Sequence, residues 1–320
     1  MKKILLAATG LSFIALACTK DFEEINTNPN APEEIAPEFL LTNIITVSAE
    51  QNGYSQGLML ASYLAQHGAS VEFERIDRYE MGSNGDYWNT LFKLLSDIRS
   101  MKEADASNEA YEAVGDIMKS YIFSQLTDMW GNVPYTEAVM ALEGNFTPKY
   151  DSQESIYTDP ETGILAVLEE AANTLSNTNF AIKGDVMFNN NLQKWVRFAN
   201  SLQVRYLMRM SRRFDQYPNL QSRLQQLVDG GRLMTGNADN AVVPYLSSAP
   251  NQFPLYNASQ GGYQEHRMTK TIDSVLTLWD DPRVSVLFKP TQASVTAGTP
   301  EYKGLLSGQS RETISANGVD

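Results

Sequence analysis

The chain has 320 residues, of which 42% are hydrophobic, and a formal net charge of −13 at pH 7. The acidic excess disfavours nucleic acid as a partner, because phosphate groups need basic side chains for neutralisation, and it disfavours direct binding to an anionic lipid surface for the same reason. A chain of this length can bury a large core. It has one cysteine and two histidines, which give little support for a disulfide framework, a metal cluster or a Cys/His nucleophile. We therefore expect no metal and no cofactor.

Residues 1–17 have the pattern of a secretory signal peptide. Lys2 and Lys3 supply a positive start, and residues 4–17 form an apolar run that ends in small residues suited to cleavage. This run has 14 residues, fewer than the roughly 20 that are needed to span a bilayer. The pattern therefore predicts an exported chain with a water-soluble body.

Cys18 follows directly and is the only cysteine of the sequence. A thiol after Ala15-Leu16-Ala17 resembles a bacterial lipobox, whose cysteine is acylated and becomes the first residue of the mature protein. The resemblance implies lipidation of Cys18 and permanent anchoring, because several acyl chains hold a protein stably on a membrane. An ordinary signal peptide followed by a chance cysteine is the alternative.

Residues 18–37 are predicted to form an extended tether. Pro29, Pro32 and Pro37 interrupt a polar, acidic stretch. Acidic residues directly after the acylated position resemble the surface-export signal of Bacteroidetes lipoproteins, although a generic solvated linker would carry similar charge.

From Glu38 onwards the dominant signal is an apolar repeat with the period of a helix. The first helix is predicted to bury Phe39, Leu40, Ile44 and Val47, and the pattern resumes after a break through Leu58, Leu60, Tyr63 and Leu64. Further helices are expected over about 86–102 and 109–129, the first of them capped by Asp86. A fourth is expected to start at Asp159-Pro160, because a capping residue before proline is typical of a helix start.

The strongest helical pattern lies between residues 191 and 214. Its apolar residues recur at three- and four-residue spacing, which is typical of a core-facing stripe rather than a cofactor site: they are Trp195, Phe198, Leu202, Tyr206 and Met210. The arginines of this segment are expected to pair with carboxylates or to face solvent. Asn200 and Ser201 are small polar residues within the apolar pattern, and they predict a close backbone contact.

After Gly230-Gly231 the pattern becomes irregular, apart from one helix expected over about 269–279. Long helices joined by short polar turns predict a mainly α fold, in which stacked helix pairs pack against an irregular, loop-rich region. We therefore assign residues 38–320 to one helical domain.

Five short segments follow one another in a specific order between residues 21 and 283. They are the opening at 21–30, D-M-W-G-N-V-P-Y-T-E-A at 128–138, Ile156-Tyr157 before the helix at Ile164, the W-x-x-F-A-N-S-L-x-x-R-x-x-M-R-x-S pattern at 195–211, and Asp281-Pro282-Arg283. Together they resemble the SusD/RagB family of outer-membrane lipoproteins, in its SusD-like branch. Two departures are Asn132, where an acidic residue is commoner, and the longer join at 159–163.

The resemblance implies tetratricopeptide-like helix pairs packed against a less regular region. It implies a protein on the outer face of the outer membrane that binds a nutrient, usually an oligosaccharide, and caps a SusC-like TonB-dependent β-barrel. Family members bind rather than catalyse, so we expect no enzymatic activity and no catalytic residues. Members are usually longer, so the chain is expected to be incomplete at its C-terminus.

Two loops contain the aromatic, amide and guanidinium side chains that grip neutral glycans. Ligand contacts in the resembled family come from loops in these broad regions, and packing between loops is the alternative for each aromatic residue. In the first loop, residues 71–86, we select Phe73, Arg75, Tyr79 and Asn84. In the second loop, residues 245–267, we select Tyr256, Asn257 and Tyr263; Tyr245, Gln252 and Phe253 are further members.

Two other functions remain as alternatives. One is a peptide-binding or structural helical scaffold lipoprotein. The other is a surface glycoside hydrolase, which needs two carboxylates about 5–10 Å apart; Asp77 with Glu80, or Asp280 with Asp281, would be chance candidates. The sequence contains no G-x-S-x-G, H-E-x-x-H, phosphate-loop or G-x-G-x-x-G motif.

Overall fold

The computed structural model describes residues 35–53, 64–66, 85–248, 251–253 and 266–309. Within these ranges the chain is mainly helical. The helices are α1 (Pro37–Gly53), α2 (Gly85–Ala104), α3 (Glu109–Trp130), α4 (Gln153–Thr158), α5 (Ile164–Asn177), α6 (Leu192–Arg209), α7 (Pro218–Asp229), α8 (Lys270–Leu278), α9 (Val284–Leu287) and α10 (Gln292–Thr296). Two short strands, β1 (Leu64–Gln66) and β2 (His266–Met268), pair in antiparallel fashion.

The long helices pack on one another in chain order. α1 contacts α2, α2 contacts α3, α3 contacts α5, α5 contacts α6, and α6 contacts α7. Their apolar faces form one buried core, with Leu91, Ile117, Phe123, Leu168 and Trp195 among its members. The packing confirms the predicted mainly α fold of stacked helices, because each helix buries its apolar face against its neighbours.

Three of the sequence motifs meet where α3 ends. Asp128 accepts a hydrogen bond of 3.0 Å from the Tyr157 hydroxyl and forms an ion pair with Arg209. Burial and then the charge of Asp128 raise the pKa of Tyr157. Gly131 ends α3 with a φ of 75°, which a residue without a side chain adopts readily. The contact ties α3, α4 and α6 together.

The segment after α3 is held by the carboxylate of Asp151. It accepts hydrogen bonds from the backbone N–H of Tyr135 at 3.2 Å and of Thr136 at 2.7 Å, and from the Thr136 hydroxyl at 2.9 Å. Burial alone would raise the pKa of Asp151, but the hydrogen bonds from Thr136 and Tyr135 outweigh it and hold the pKa below its usual range. These bonds fix the backbone that continues over α2 and α3.

Asp185 organises the turn before α6. Its carboxylate accepts the backbone N–H groups of Met187 at 3.0 Å, Phe188 at 2.9 Å and Asn190 at 3.0 Å, and the indole N–H of Trp195 at 2.9 Å. Asp185 is 4% exposed and Trp195 is fully buried. The carboxylate therefore satisfies four donors, of which the Phe188 N–H and the Trp195 indole N–H are buried.

Asn200 and Ser201 contact the backbone of a later segment. The Asn200 amide donates to the Arg232 carbonyl at 3.1 Å, and the Ser201 hydroxyl accepts the Met234 N–H at 2.9 Å. The close backbone contact predicted from these two small polar residues is thus present. The expected pairing of arginines also occurs, because Arg197 forms an ion pair with Asp239 at 2.5 Å.

The predicted inward face of α1 is partly wrong. Phe39 is 69% exposed, whereas Leu41 and Ile45 are buried together with Leu40 and Ile44. Two adjacent positions in each turn face the core because α1 packs against both α2 and α3. The prediction is therefore right for Leu40 and Ile44, wrong for Phe39, and incomplete because it left out Leu41 and Ile45.

The predicted helix start at Asp159 is also wrong. Asp159 follows the last residue of α4, and its carboxylate accepts the N–H groups of Glu161 at 3.0 Å and Thr162 at 2.8 Å. These bonds close a separate turn, so that α5 begins at Ile164 after Gly163. An aspartate that closes a turn has the same sequence signature as one that caps a helix.

Leu64 was expected to continue a helical pattern, but it lies in β1. Leu58, Leu60 and Tyr63 lie outside the described residues. Pairing with the distant β2 outweighs the local pattern here. α7 was not predicted, although Leu220, Leu224 and Leu227 recur at helical spacing. Leu220 is buried, and Leu224 and Leu227 are partly buried against the core.

The described residues after 231 are irregular apart from short elements, as predicted. Thr269 forms a parallel bridge with Leu305, and the Leu305 N–H donates to the Met268 carbonyl at 2.8 Å. α8 follows Thr269 and confirms the helix expected over about 269–279. The chain next to residue 268 is therefore held both by β1 and by the segment at 305.

Candidate ligand-binding loops

The ligand contacts selected from the sequence lie outside the described residues. They are Phe73, Arg75, Tyr79, Asn84, Tyr256, Asn257 and Tyr263. Cys18 and the pair Asp77 with Glu80 lie outside them as well. The roles of these residues stay predictions, and the described residues show how the two loops begin and end.

The β1–β2 ladder joins the chain that leads into the first loop to the end of the second loop. Gln66 pairs with His266, and Leu64 pairs with Met268. β1 ends shortly before the first loop, whereas β2 includes the last two residues of the second loop. Because antiparallel partners face each other directly, the chain that leads into the first loop lies beside the end of the second loop. The ladder thus connects two segments that are far apart in the sequence.

The described start of the second loop is an aromatic pair. The rings of Tyr245 and Phe253 make a T-shaped contact with centroids 5.2 Å apart, and the Leu246 N–H donates to the Asn251 carbonyl at 2.6 Å. The Tyr245 hydroxyl is buried without a hydrogen-bond partner among the described residues. Burial and then the charge of Glu50 raise the pKa of Tyr245. For these two aromatics, packing within the loop is what the structure shows.

A cleft rich in tyrosine and arginine lies between the end of α3, α4 and the end of α6. Its volume is about 400 Å³, and its lining includes Tyr157, Arg209 and Tyr217. These polar groups already have partners inside the fold: Tyr157 and Arg209 contact Asp128, and Tyr217 donates to Glu154. We therefore assign them to packing between helices.

Neither a metal cluster nor a membrane span is present in the part of the chain that the structure describes. No group of three or more His, Cys, Asp or Glu side chains there is placed to hold a metal ion. None of the helices described combines the length and the apolar character needed to cross a bilayer.

The profile of a known protein family matches residues 29–319. Its description is SusD-like, "Starch-binding associating with outer membrane". The chain belongs to the SusD-like family. The match covers the helices, the ladder and both loops, and it confirms the resemblance that the five motif segments indicated.

Solved SusD-like structures share this fold. An outer membrane protein from Bacteroides vulgatus, named for nutrient binding, is 29% identical with a TM-score of 0.69, over 82% of this chain and 56% of its own. A SusD homologue from Bacteroides fragilis is 27% identical with a TM-score of 0.66, over 83% of this chain and 56% of its own. The SusD-like chain thus spans a little more than half the length of these relatives.

A chitin-binding SusD homologue from Flavobacterium johnsoniae is 22% identical with a TM-score of 0.70, over 88% of this chain and 59% of its own. At this identity the similarity shows the fold alone. No curated protein matches the chain.

The sequence analysis missed the β1–β2 ladder. A three-residue strand is too short to show the alternation that predicts strands. No local signal links residues 64–66 to residues 266–268, because the pairing depends on how the intervening helices pack.

Proposed function

We propose that the chain is a surface lipoprotein that binds an oligosaccharide and delivers it to a SusC-like TonB-dependent transporter of the outer membrane. The observation that carries the proposal is the β1–β2 ladder, in which Gln66, shortly before the first loop, pairs with His266 at the end of the second loop. Membership of a family described as starch-binding supports a glycan ligand. Chitin binding by the F. johnsoniae relative adds a second glycan class to test.

The proposed loops suit a neutral glycan chemically. The aromatic faces of Phe73, Tyr79, Tyr256 and Tyr263 would cover the apolar faces of sugar rings. Arg75, Asn84 and Asn257 would exchange hydrogen bonds with the sugar hydroxyls. Binding of this kind involves no covalent step, so the proposed role requires no catalytic residue.

Tyr256→Ala and Tyr263→Ala are each expected to weaken glycan binding by about 1–2 kcal/mol, because a sugar ring loses its apolar contact. The full chain would be titrated with maltohexaose and with chitohexaose by calorimetry. Melting temperatures should stay close to the unmutated value. Tyr150→Ala is a matched control, since Tyr150 is 63% exposed and belongs to neither loop.

Each outcome of this titration has a distinct meaning. Full affinity in both loop variants would remove these tyrosines from the site. Release of shorter sugars would contradict the role as a binder and favour the hydrolase. Binding of peptides in place of glycans would favour the peptide-binding alternative, and binding of neither class would favour a scaffold.

Delivery to a transporter is a separate part of the proposal. It is supported by the family description, which includes association with the outer membrane, and by the predicted signal peptide and Cys18. Purification of the lipoprotein from outer membranes of its own organism should recover a TonB-dependent β-barrel. Recovery of the lipoprotein without any barrel under mild detergent would count against delivery.

A further inference from the structure

A cavity of about 420 Å³ lies between α2, α3 and the segment that follows α3. The lining includes Leu95, Ile98, Lys119 and Phe123 from the two helices, and Tyr135 and Val139 from the segment that follows α3. The volume falls in the range of small-molecule sites, about 300–1,000 Å³. The cavity shares no residue with the two glycan loops.

Two of the three cations that line the cavity are already paired. Arg99 contacts Glu103 at 2.8 Å and also pairs with Glu143. Lys102 contacts Glu112 at 2.7 Å and Asp116 at 2.6 Å. Both therefore act as internal ion pairs that join α2 to its neighbours.

Lys119 is the third cation, and it has no such partner. Its ammonium lies 5.6 Å from the centroid of the Tyr135 ring, within range of a cation–π contact. It forms no hydrogen bond or ion pair with any described residue. Burial lowers the pKa of Lys119, and the charge of Lys102 acts in the same direction, whereas the charges of Asp116 and Glu112 oppose it. A half-buried ammonium is thus left without an acceptor at a cavity wall.

The cavity wall also contains a strained residue. Val139 has a φ of 53°, which is rare for a β-branched side chain. The guanidinium of Arg99 holds its carbonyl with a hydrogen bond of 2.7 Å. Such backbone strain occurs preferentially at ligand sites, where the surrounding structure maintains it.

We propose that this cavity binds the carboxylate group of a small organic acid, with Lys119 as the cation that receives it. The nearby carboxylates do not prevent this. Glu103 and Glu112 are 59% and 55% exposed, and water screens exposed charges. Asp116 is less exposed, but its charge is paired with Lys102 at 2.6 Å. The presence of these carboxylates favours a monoanion over a dianion such as phosphate. Leu95, Ile98 and Phe123 supply an apolar floor for the rest of the acid.

Matched acids and neutral analogues test the proposal on the full chain. The two pairs are hexanoate with hexanol and galacturonate with galactose. Within each pair the acid and the neutral analogue differ mainly in the carboxylate. The first pair has an apolar stem, and the second has a sugar stem. We expect one of the acids to bind in calorimetry and its neutral analogue to bind at least about tenfold more weakly. Which pair responds distinguishes an aliphatic acid from an acidic sugar as the source of the carboxylate.

Lys119→Met should reduce the affinity for the responding acid about tenfold or more, while Lys119→Arg should retain most of it. Lys183→Met removes an exposed charge outside the cavity and is the control, which should leave the acid affinity unchanged. Because the contact of the Lys119 ammonium with the Tyr135 ring is weak and no hydrogen bond or ion pair joins it to a described residue, its replacement should lower the melting temperature little. Should the Met variant fail to fold, the NMR signal of dimethylated Lys119 in the otherwise unmutated chain should shift with the acid and not with its neutral analogue.

Absence of binding by both acids would overturn the proposal. An equal response to acid and neutral analogue would do the same. Acid binding that survives Lys119→Met, or a dimethylated Lys119 signal that the acid leaves unmoved, would also overturn it.

Discussion

At the scale of single residues, buried polar groups hold the turns between helices. Asp185 is the clearest case, because its carboxylate accepts four N–H donors, including the indole of Trp195. The sequence placed Trp195 in the core on its helical spacing. It did not predict Asp185, because an aspartate in a polar turn has the same local signature whether it faces water or a ring of donors.

Asp185→Ala is expected to reduce the free energy of unfolding by about 3–5 kcal/mol, because it removes the acceptor of four donors, two of which are buried. Denaturant titration followed by circular dichroism measures this loss. Asp215→Ala is the control, since Asp215 is exposed, and its effect should stay within about 0.5 kcal/mol. Equal effects of the two substitutions would show that the Asp185 bonds contribute nothing.

The loop residues illustrate the limit of prediction at this scale. Phe73, Tyr79, Tyr256 and Tyr263 were selected by composition and by family region, and neither criterion separates a ligand contact from loop packing. Tyr245 and Phe253 are aromatic residues of the second loop and meet the same two criteria, yet their rings pack on each other. Lys119 carried no sequence signal either, because its lack of a partner depends on how α3 packs against α2.

At the scale of elements, the long helices were predictable and their ends were less so. α2, α3 and α6 carry wide apolar stripes with the helical period, and burial of those stripes is what stabilises them. Asp159 and β1 were misassigned because turns and three-residue strands have weak local signals. Local hydrogen bonds to Glu161 and Thr162 decided the turn at Asp159, whereas pairing with the distant β2 decided β1.

Gly184 connects the turn before α6 to the first turn of α1, and Gly184→Ala should separate them. Its φ is 77°, and a Cβ atom there would overlap the carbonyl of Glu38. We expect a loss of about 2–4 kcal/mol in unfolding free energy, from the backbone conformation and the overlap together. Thermal and denaturant unfolding of the variant give this value.

Gly231→Ala is the matched control for that substitution. Gly231 has a φ of 65° with open space around the added atom, so it should lose only about 1–2 kcal/mol. Similar losses for the two variants would show that overlap with the Glu38 carbonyl adds nothing to the cost of Gly184→Ala.

At the scale of the whole molecule, the fold class and the family followed from sequence because both depend on long segments. The helical period extends over most of residues 38–229, and four of the five motifs keep their order within residues 29–319, which the family profile matches. The ladder that connects the second loop with the chain before the first loop could not be predicted from the sequence, because it is one pairing between two strands that are distant in the chain. Anchoring depends on residues 1–18, which lie outside the described ranges.

Cys18→Ala is expected to release the protein from membranes, because the thiol that would carry the acyl chains is removed. Membrane fractionation and metabolic labelling with a fatty acid measure the effect. Thr19→Ala, which keeps the thiol, should behave like the unmutated chain. A Cys18→Ala protein that still sediments with membranes and still takes up label would disprove lipidation at this residue.

The pairing of Leu64 with Met268 also determines when, during folding, the chain before the first loop is joined to the end of the second loop. Every helix from α2 to α7 lies between these two residues in the chain. Closing so long a segment has a high entropic cost, and two three-residue strands return little energy for it. The strands can therefore meet only after the helices have packed and brought them close. We expect a folding chain to acquire its helices first and its capacity to hold a ligand last, and a partly unfolded chain to lose that capacity before its helices.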